Sequence, residues 1–311
     1  MKIYHSSKDF PRSAKRPILA LGNFDGVHLA HQKMFQKARK LARQVEGIAV
    51  AYSFEPHPVK VLSKESAPLL INSLPQKLEL LAAQKLDAVI LEPFDSKFAQ
   101  LSAQAWFDRI LLKNTHAFGL VAGYDFTFGS HRSGTVETLE ELCQKSGVLC
   151  QILGAQMAGE TLISSSQVRN FIARGDIAPA NAMLGRPFYI DGIVVQGAGR
   201  GASLGIPTAN LEVENELLPL MGVYACWAEV KNRRYQAVVN IGMNPTFGGS
   251  RLSVEAHLLR FKQRIYGKKV RLYFIQRIRE EKPFRSAQEL IRQIQIDIQS
   301  GSKILARKKM K

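Results

Sequence analysis

The chain has 311 residues, of which 46% are hydrophobic and 22% are charged, a composition that excludes a disordered or fibrous protein and is typical of a folded globular one. At this length we expect one large domain or two ordinary ones. Its 43 lysines and arginines exceed its 26 aspartates and glutamates, and the formal net charge of +17 predicts anionic partners, namely nucleic acid, a membrane surface or phosphorylated small molecules.

The first half of the chain alternates strand and helix patterns. Short apolar runs predict strands over residues 18–21, 48–54, 88–91, 118–122 and 148–153. Between them, apolar spacing and capping residues predict helices from about His31, from Ser73, over 102–112, and over 135–146 with Gly147 at the end. Such alternation predicts a parallel sheet with helices on its faces.

The pattern changes near residue 185, where a glycine ends a helix. Period-2 segments follow over residues 189–196, 224–230, 235–241, 253–259 and 270–275, with a turn at 231–234 joining two of them. They predict a small antiparallel barrel. A capping box at Ser286 and Glu289 predicts a last helix, and residues 306–311 are expected to form a solvated basic tail. We therefore predict two domains, residues 1–183 and residues 184–311.

The lengths of the apolar runs and the number and spacing of the cysteines indicate where in the cell the protein is found. No run approaches the ~20 apolar residues of a membrane span, and the first 17 residues lack the apolar stretch of a signal peptide. Cys143, Cys150 and Cys226 are odd in number and lack C-x-x-C spacing, which argues against a disulfide framework and a zinc site. We expect a cytoplasmic protein without a membrane partner.

The segment Gly22-Asn-Phe-Asp-Gly-Val-His-Leu-Ala-His31 lies where the first predicted strand meets a helix. His28 and His31 fall on one face of the helix N-terminus, whose free N–H groups and partial positive charge suit a phosphate. Two imidazoles there can stabilise charge on a phosphate under attack. The alternative is a pair of surface histidines in a capping turn. We predict catalytic roles for both histidines and phosphate contacts for Gly22, Asn23, Phe24, Asp25 and Gly26.

This segment resembles the HxGH signature of nucleotidyltransferases, which transfer a nucleotidyl group from ATP or CTP and release pyrophosphate. Ala30 stands where that motif has a glycine, and its methyl group is expected to weaken nucleotide binding or leave it unchanged. The segment Leu162-Ile-Ser-Ser-Ser-Gln-Val-Arg169 resembles the second signature of the superfamily, although alone it reads equally as a serine-rich helix cap. The resemblance implies phosphate contacts by Ser164, Ser165, Ser166 and Arg169.

Two further segments, Phe54-Glu-Pro-His-Pro58 and Gly123-Tyr-Asp-Phe-Thr-Phe-Gly129, follow predicted strands, at the edge where doubly wound sheets bind ligands. Together with Arg132 and Gly134 they closely resemble the flavin-adenylylating module of bacterial bifunctional riboflavin kinase/FAD synthetases. The resemblance implies a Rossmann-like nucleotidyltransferase domain over residues 1–183. It also implies flavin contacts by Pro56, His57, Pro58, Asp125 and Phe126.

In the second half, a glycine-rich loop at 197–201 precedes Leu204-Gly-Ile-Pro-Thr-Ala-Asn210, which resembles the PTAN signature of riboflavin kinases. Glycines let backbone approach a phosphate, but the loop alone is better explained as a plain β-turn. The resemblance of the PTAN segment implies that Gly199, Arg200 and Gly201 bind ATP. Thr208 and Asn210 face the same way on an extended segment, and their oxygens suit Mg²⁺. No G-K-[ST] follows the loop, so it is not a Walker A motif.

The resemblance continues through Gly222-Val-Tyr-Ala225, the segment 240–247 and Val254-Glu-Ala-His257, and it spans roughly residues 15–300. It implies a riboflavin-kinase barrel over residues 184–311 with Glu255 as the catalytic base; the alternative is a solvent-facing carboxylate paired with an arginine. Arg260 stands where many relatives carry an acidic residue, which affects a local salt bridge and not the chemistry.

The resemblance implies an enzyme that phosphorylates riboflavin with ATP to FMN and adenylylates FMN with a second ATP to FAD, releasing pyrophosphate, with Mg²⁺ as cofactor. Riboflavin, FMN, FAD and ATP are its expected partners, and the oligomeric state stays open. A nucleotidyltransferase for nicotinate mononucleotide or phosphopantetheine explains the histidines but not residues 54–58 or the second domain. A nucleic-acid-binding protein explains the charge, but the basic residues are dispersed and no nucleic-acid-binding fold is recognised, so we expect no nucleic-acid partner.

Overall fold

The computed structural model describes residues 1–63, 65, 67–197, 205–246 and 249–308. The chain divides into two compact units. Residues 1–69 and 74–164 form the first unit, and residues 70–73 and 165–311 form the second.

The first unit is built on a six-stranded parallel sheet in the order β1-β4-β3-β2-β5-β6. Its strands are β1 (Lys2–Tyr4), β2 (Pro17–Leu21), β3 (Ile48–Glu55), β4 (Ala88–Pro93), β5 (Gly119–Gly123) and β6 (Leu149–Leu153). A small hairpin of β7 (Met157–Ala158) and β8 (Thr161–Leu162) follows. The parallel sheet was predicted correctly, but the short strand β1 was missed.

The helices of the first unit connect these strands. They are α1 (Leu29–Gln44), α2 (Pro58–Leu62), α3 (Leu74–Ala83), α4 (Ser96–Ala99), α5 (Ala103–Trp106) and α6 (Val136–Ser146). The helix predicted over 102–112 is confirmed, and the structure adds that α5 continues into a π-helix over Phe107–Asn114 that keeps Phe107 and Leu111 buried. Gly147 ends α6 in the left-handed conformation, as predicted.

The strand order fixes where loops gather. The chain runs from β2 outward through β3 and β4 and then returns to β5 on the other side of β2. In a doubly wound sheet, such a reversal opens a crevice at the carboxyl ends of the strands. The loops after β2, β3 and β5 therefore emerge at one edge of the sheet.

The second unit is a closed antiparallel barrel in the order β10-β13-β12-β11-β14-β9. Its strands are β9 (Phe188–Val195), β10 (Ala209–Val213), β11 (Gly222–Val230), β12 (Arg233–Thr246), β13 (Gly249–Leu258) and β14 (Lys269–Arg279). The barrel was predicted, but β10 was missed. Its helices are α7 (Ser165–Arg174), α8 (Ile177–Leu184) and α9 (Ala287–Arg307).

Local signals explain several element ends in this unit. A turn was predicted at 231–234, and the structure narrows it to Lys231 and Asn232, both with positive φ, which connect β11 to β12 as a hairpin. The Ser286 side chain accepts a hydrogen bond from the Glu289 N–H and caps α9. Residues 306–307 are exposed, as predicted for the basic tail, but they still belong to the helix, which continues through Arg307; residues 309–311 lie outside the described residues.

Among the described residues, no helix combines the length and the apolar character needed to cross a bilayer. The three cysteines are free thiols.

Helices α7 and α8 pack with the barrel that follows them. Asn181 of α8 donates a hydrogen bond to the Phe274 carbonyl (2.9 Å) and accepts one from the Phe188 N–H (2.6 Å). Val168 and Ile172 of α7 are fully buried. The compact units therefore part between residues 164 and 165, whereas the sequence suggested a domain boundary at 183/184.

This packing yields a stability prediction. Residues 165–311 expressed alone should unfold at least ~5 °C above residues 184–311, because the shorter fragment lacks the α8 hydrogen bonds and the buried α7 side chains. Thermal unfolding followed by circular dichroism measures both midpoints. Equal midpoints would show that α7 and α8 contribute nothing to the stability of the barrel.

Two candidate active sites

The turn between β2 and α1 has a strained backbone. Phe24 (φ 54°), Gly26 (φ 83°) and Val27 (φ 42°) all adopt left-handed conformations. A non-glycine residue held there costs ~1–3 kcal/mol and persists only where its surroundings impose it. Phe24 and Val27 are fully buried, and the Phe24 ring packs on Phe35 at 4.7 Å between centroids. The core of the first unit thus imposes the shape of this turn.

His28 and His31 come together at the start of α1. Their rings stack with centroids 3.6 Å apart, and His28 is only 4% exposed. His28 Nδ1 accepts a hydrogen bond from the His31 N–H (3.4 Å) and caps the helix. Because Nδ1 accepts, the proton of the neutral ring lies on Nε2, which is then a donor.

A buried lysine that the sequence patterns did not reveal supports this turn. Lys77 Nζ donates to Ser53 Oγ (2.7 Å), and Ser53 Oγ donates to the Asn23 carbonyl (3.1 Å). Burial lowers the pKa of Lys77 to about 8, while the Glu55 and Asp25 carboxylates act in the opposite direction. Lys77 was missed because a lysine in an amphipathic helix normally lies in solvent.

The loops after β3 and β5 flank the histidine turn, because these strands pair with β2 on either side. After β3, His57 Nδ1 accepts from the Val59 N–H (3.3 Å) and caps α2, with Pro58 in its first turn and Pro56 before it. After β5, Asp125 is exposed. The Phe126 ring stacks on Phe128, with centroids 5.7 Å apart and planes 19° apart. This edge therefore combines aromatic surface with a helix N-terminus, a combination that suits a planar ring bearing a phosphate.

The serine segment spans the division between the two units. Ser164 is the last residue of the first unit, and α7 of the second unit begins at Ser165. Within α7, the Arg169 guanidinium donates to Ser166 Oγ (3.4 Å). The phosphate contacts implied for these residues stay predictions.

In the second unit, three neighbouring strands bring polar side chains into one row. Glu255 on β13 pairs in register with Asn210 on β10 and with Asn240 on β12. Val254 and Ala256, on the opposite face of β13, are buried. Glu255 and its two asparagines therefore share the face that points away from the interior of the barrel.

The segment before β10 is tied to this row. Thr208 Oγ1 donates to Glu255 Oε2 (3.5 Å), and His257 Nδ1 donates to the Pro207 carbonyl (2.8 Å). A Cβ atom at Gly197 would collide with the Asn210 amide, so only glycine allows this close approach. Gly199, Arg200 and Gly201, predicted to bind phosphate, lie outside the described residues.

A second carboxylate approaches the same face from the segment after β14. A Cβ atom at Gly242 would collide with the Glu281 carboxylate and lie 3.1 Å from Asn240 Nδ2. Glu281 is thus a neighbour of Asn240. No sequence pattern reveals it, because it lies 26 residues beyond Glu255 and comes near only through the pairing of β14 with β11 and of β11 with β12.

The capping role of His28 yields a second stability prediction. His28→Ala should destabilise the first unit by about 1 kcal/mol, the usual cost of losing an N-cap, whereas His28→Asn should not, because asparagine is a strong N-cap. Chemical denaturation of both variants measures the difference. Equal destabilisation by both substitutions would contradict the capping role.

Comparisons with known proteins agree with the two-part organisation. A sequence model of the FAD synthetase family matches residues 10–167, and one of the riboflavin kinase family matches residues 184–305. The bifunctional riboflavin kinase/FMN adenylyltransferase of Bacillus subtilis (strain 168) is 38% identical over 308 residues, 96% of each chain. Its namesake from Escherichia coli (strain K12) is 34% identical over 281 residues, 90% of each chain.

A solved structure is also similar over nearly the whole chain. It is described as a macrolide-efflux protein from Streptococcus pneumoniae and is 31% identical in sequence. It aligns with a TM-score of 0.88, covering 96% of this chain and 98% of that one.

Proposed function

We propose that, in this chain, the barrel makes FMN and the parallel-sheet unit converts FMN to FAD. The chain belongs to the family of bifunctional riboflavin kinases/FMN adenylyltransferases. The observation that carries this assignment is the pair of family matches, which fall on separate segments. An adenylyltransferase for nicotinate mononucleotide or phosphopantetheine leaves the matched riboflavin kinase segment unexplained. We take residues 1–183 as the adenylyltransferase domain and 184–311 as the kinase domain.

In the barrel, Glu255 acts as the base. The terminal ribityl hydroxyl of riboflavin is a poor nucleophile near neutral pH, so its attack on the γ-phosphorus of ATP benefits from a positioned proton acceptor. The Glu255 carboxylate takes the hydroxyl proton as the new O–P bond forms and ADP departs. Thr208 Oγ1 donates to that carboxylate and helps to orient it, while Asn210 and Asn240 lie in register on either side.

The same row fits a magnesium ion. Mg²⁺ prefers oxygen ligands, takes few from the protein and completes its shell with water and substrate phosphates. The Thr208 hydroxyl and the Asn210 amide oxygen, beside one carboxylate, provide such a donor set. When bound, the ion would neutralise charge on the ATP phosphates. We place those phosphates against the loop containing Gly199, Arg200 and Gly201.

In the first unit, the FMN phosphate is already a competent nucleophile, so positioning and charge stabilisation dominate. It attacks the α-phosphorus of ATP, and pyrophosphate leaves. His28, through its Nε2 donor, and His31 stabilise the developing charge, while the segment 22–26 binds the nucleotide. Ser164, Ser165, Ser166 and Arg169 supply further phosphate contacts. Flavin contacts come from Pro56, His57, Pro58, Asp125 and Phe126.

The charge and the cysteines fit this function. FMN, FAD and ATP carry phosphate, so an excess of basic residues favours their binding and accounts for part of the net charge of +17. Three free cysteines are expected to persist in a reducing compartment. We therefore place the protein in the cytoplasm.

The histidine substitutions test the adenylylation site. His28→Asn, which keeps the helix cap, and His31→Ala should each lower FAD formation from FMN by ~10²-fold or more, the usual cost of losing a donor aimed at transition-state charge. FMN formation from riboflavin by the same variants is the control and should stay near the wild-type rate. Normal FAD formation by both variants would contradict this site.

The carboxylate substitutions test the kinase site. Glu255→Gln keeps the side-chain shape but removes the base, so the kinase turnover number should fall ~10²–10⁴-fold while the KM for riboflavin changes little. Glu281→Gln tests the second carboxylate at this face; if Glu255 is the base, the turnover number of Glu281→Gln should stay within a few-fold of wild type. Quenched-flow product analysis measures both.

FAD formation from supplied FMN should be normal in both carboxylate variants. A large loss of kinase turnover in Glu281→Gln, with normal turnover in Glu255→Gln, would show that Glu281 and not Glu255 is the base.

A further inference from the structure

Lys77 is a buried lysine that has no chemical role in either of the two proposed reactions. It lies on α3, it is 8% exposed, and its ammonium donates to Ser53 Oγ. Burial of a lysine is costly unless its charge is paired or used. The position of this charge therefore calls for a physical explanation.

The hydrogen bonds of Lys77 lead directly to the strained turn. Ser53 is fully buried on β3, and its hydroxyl donates a hydrogen bond to the Asn23 carbonyl, so that it bridges Lys77 and Asn23. Asn23 immediately precedes Phe24, the first residue of the turn with a positive φ. A buried ammonium, a hydroxyl and a carbonyl thus hold the segment that places His28.

Lys77 also balances negative charge beside the turn. The charged groups facing its ammonium are the Asp25 carboxylate, from the turn, and the Glu55 carboxylate, from β3. Asp25 is 4% exposed. Two carboxylates beside a site that receives FMN and ATP would repel the incoming phosphates, and a cation among them lowers that repulsion.

We propose that Lys77 is a positioning residue for FMN adenylylation: it fixes the turn through Ser53 and offsets the negative charge of Asp25 and Glu55 so that anionic substrates can bind. This inference rests on the proposed placement of adenylylation at the turn between β2 and α1. Lys77 acts through its neighbours and does not itself take part in the chemistry.

The protonation state of Lys77 separates this role from a purely structural one. Its pKa of about 8 means that the free enzyme loses the ammonium charge as the pH rises through 8, so kcat/KM for FMN should decline there. Stability should move the other way. An unfolded lysine, with an ordinary pKa near 10.4, binds more protons between pH 8 and 10 than the folded one, so the folded state gains stability over that range.

The test uses the full-length chain and measures FAD formation from FMN between pH 6.5 and 10 in five proteins. They are the wild type, Lys77→Met, Lys77→Arg, Ser53→Ala and the matched control Lys85→Met, which removes an exposed lysine just beyond α3. FMN formation from riboflavin and the thermal midpoint are recorded for each protein.

Lys77→Met should lower kcat/KM for FMN at least ~10-fold near pH 7 and abolish the decline above pH 8, because no titrating cation remains. Lys77→Arg should keep more activity than Lys77→Met, and its activity should not decline up to pH 9 and above, since arginine stays charged. Ser53→Ala should lower activity but keep the decline above pH 8. Lys85→Met should match the wild type, and all variants should form FMN normally.

A Lys77→Met enzyme with the wild-type kcat/KM and the wild-type pH profile would overturn the proposal. If Lys77→Met does not fold, the Lys77→Arg and Ser53→Ala variants test the proposal instead. Wild-type kcat/KM and a wild-type pH profile in both variants would also overturn it. His28→Asn assayed in parallel separates the two levels of inference. Normal FAD formation by His28→Asn would contradict the site itself, whereas its loss beside a normal Lys77→Met would contradict only the role of Lys77.

Discussion

The left-handed turn between β2 and α1 is the constraint on which the first unit depends. A backbone with positive φ at Phe24 and Val27 is unfavourable in isolation, and the fully buried side chains of both residues impose it from the core. The turn in turn presents His28 as the cap of α1, and this cap fixes which ring nitrogen of His28 carries the proton. Packing in the interior thereby determines the orientation of a histidine at the edge of the sheet.

In the barrel, strand register rather than backbone strain positions the polar side chains. Antiparallel pairing places Asn210, Glu255 and Asn240 side by side across β10, β13 and β12, and a slip of one residue in any of these pairs would turn the row into the barrel interior. Both units thus set polar groups on rigid elements. This arrangement fits phosphoryl and nucleotidyl transfer, in which positioning and electrostatics dominate over covalent chemistry by the protein.

Local signals allowed much of the fold to be predicted from the sequence, and long-range contacts set the limit. Gly147, Ser286 and the Lys231–Asn232 turn were readable because their geometry depends on neighbouring residues. Strand β10 was missed because it has only five residues, and its place in the barrel depends on pairing with β9 and β13. Lys77 and Glu281 were missed for the same reason: a lysine on a helix and a glutamate in a loop look ordinary until tertiary structure brings them to Ser53 and Gly242.

The most direct measurement is a time course of products from riboflavin, ATP and Mg²⁺ with the wild-type chain, in which FMN, FAD, ADP and pyrophosphate are all quantified. Two consecutive reactions at separate sites predict that FMN appears before FAD. They also predict one ADP for each riboflavin consumed and one pyrophosphate for each FAD formed. FAD with no FMN before it, or pyrophosphate release without FAD, would contradict the assignment of the two activities to this chain.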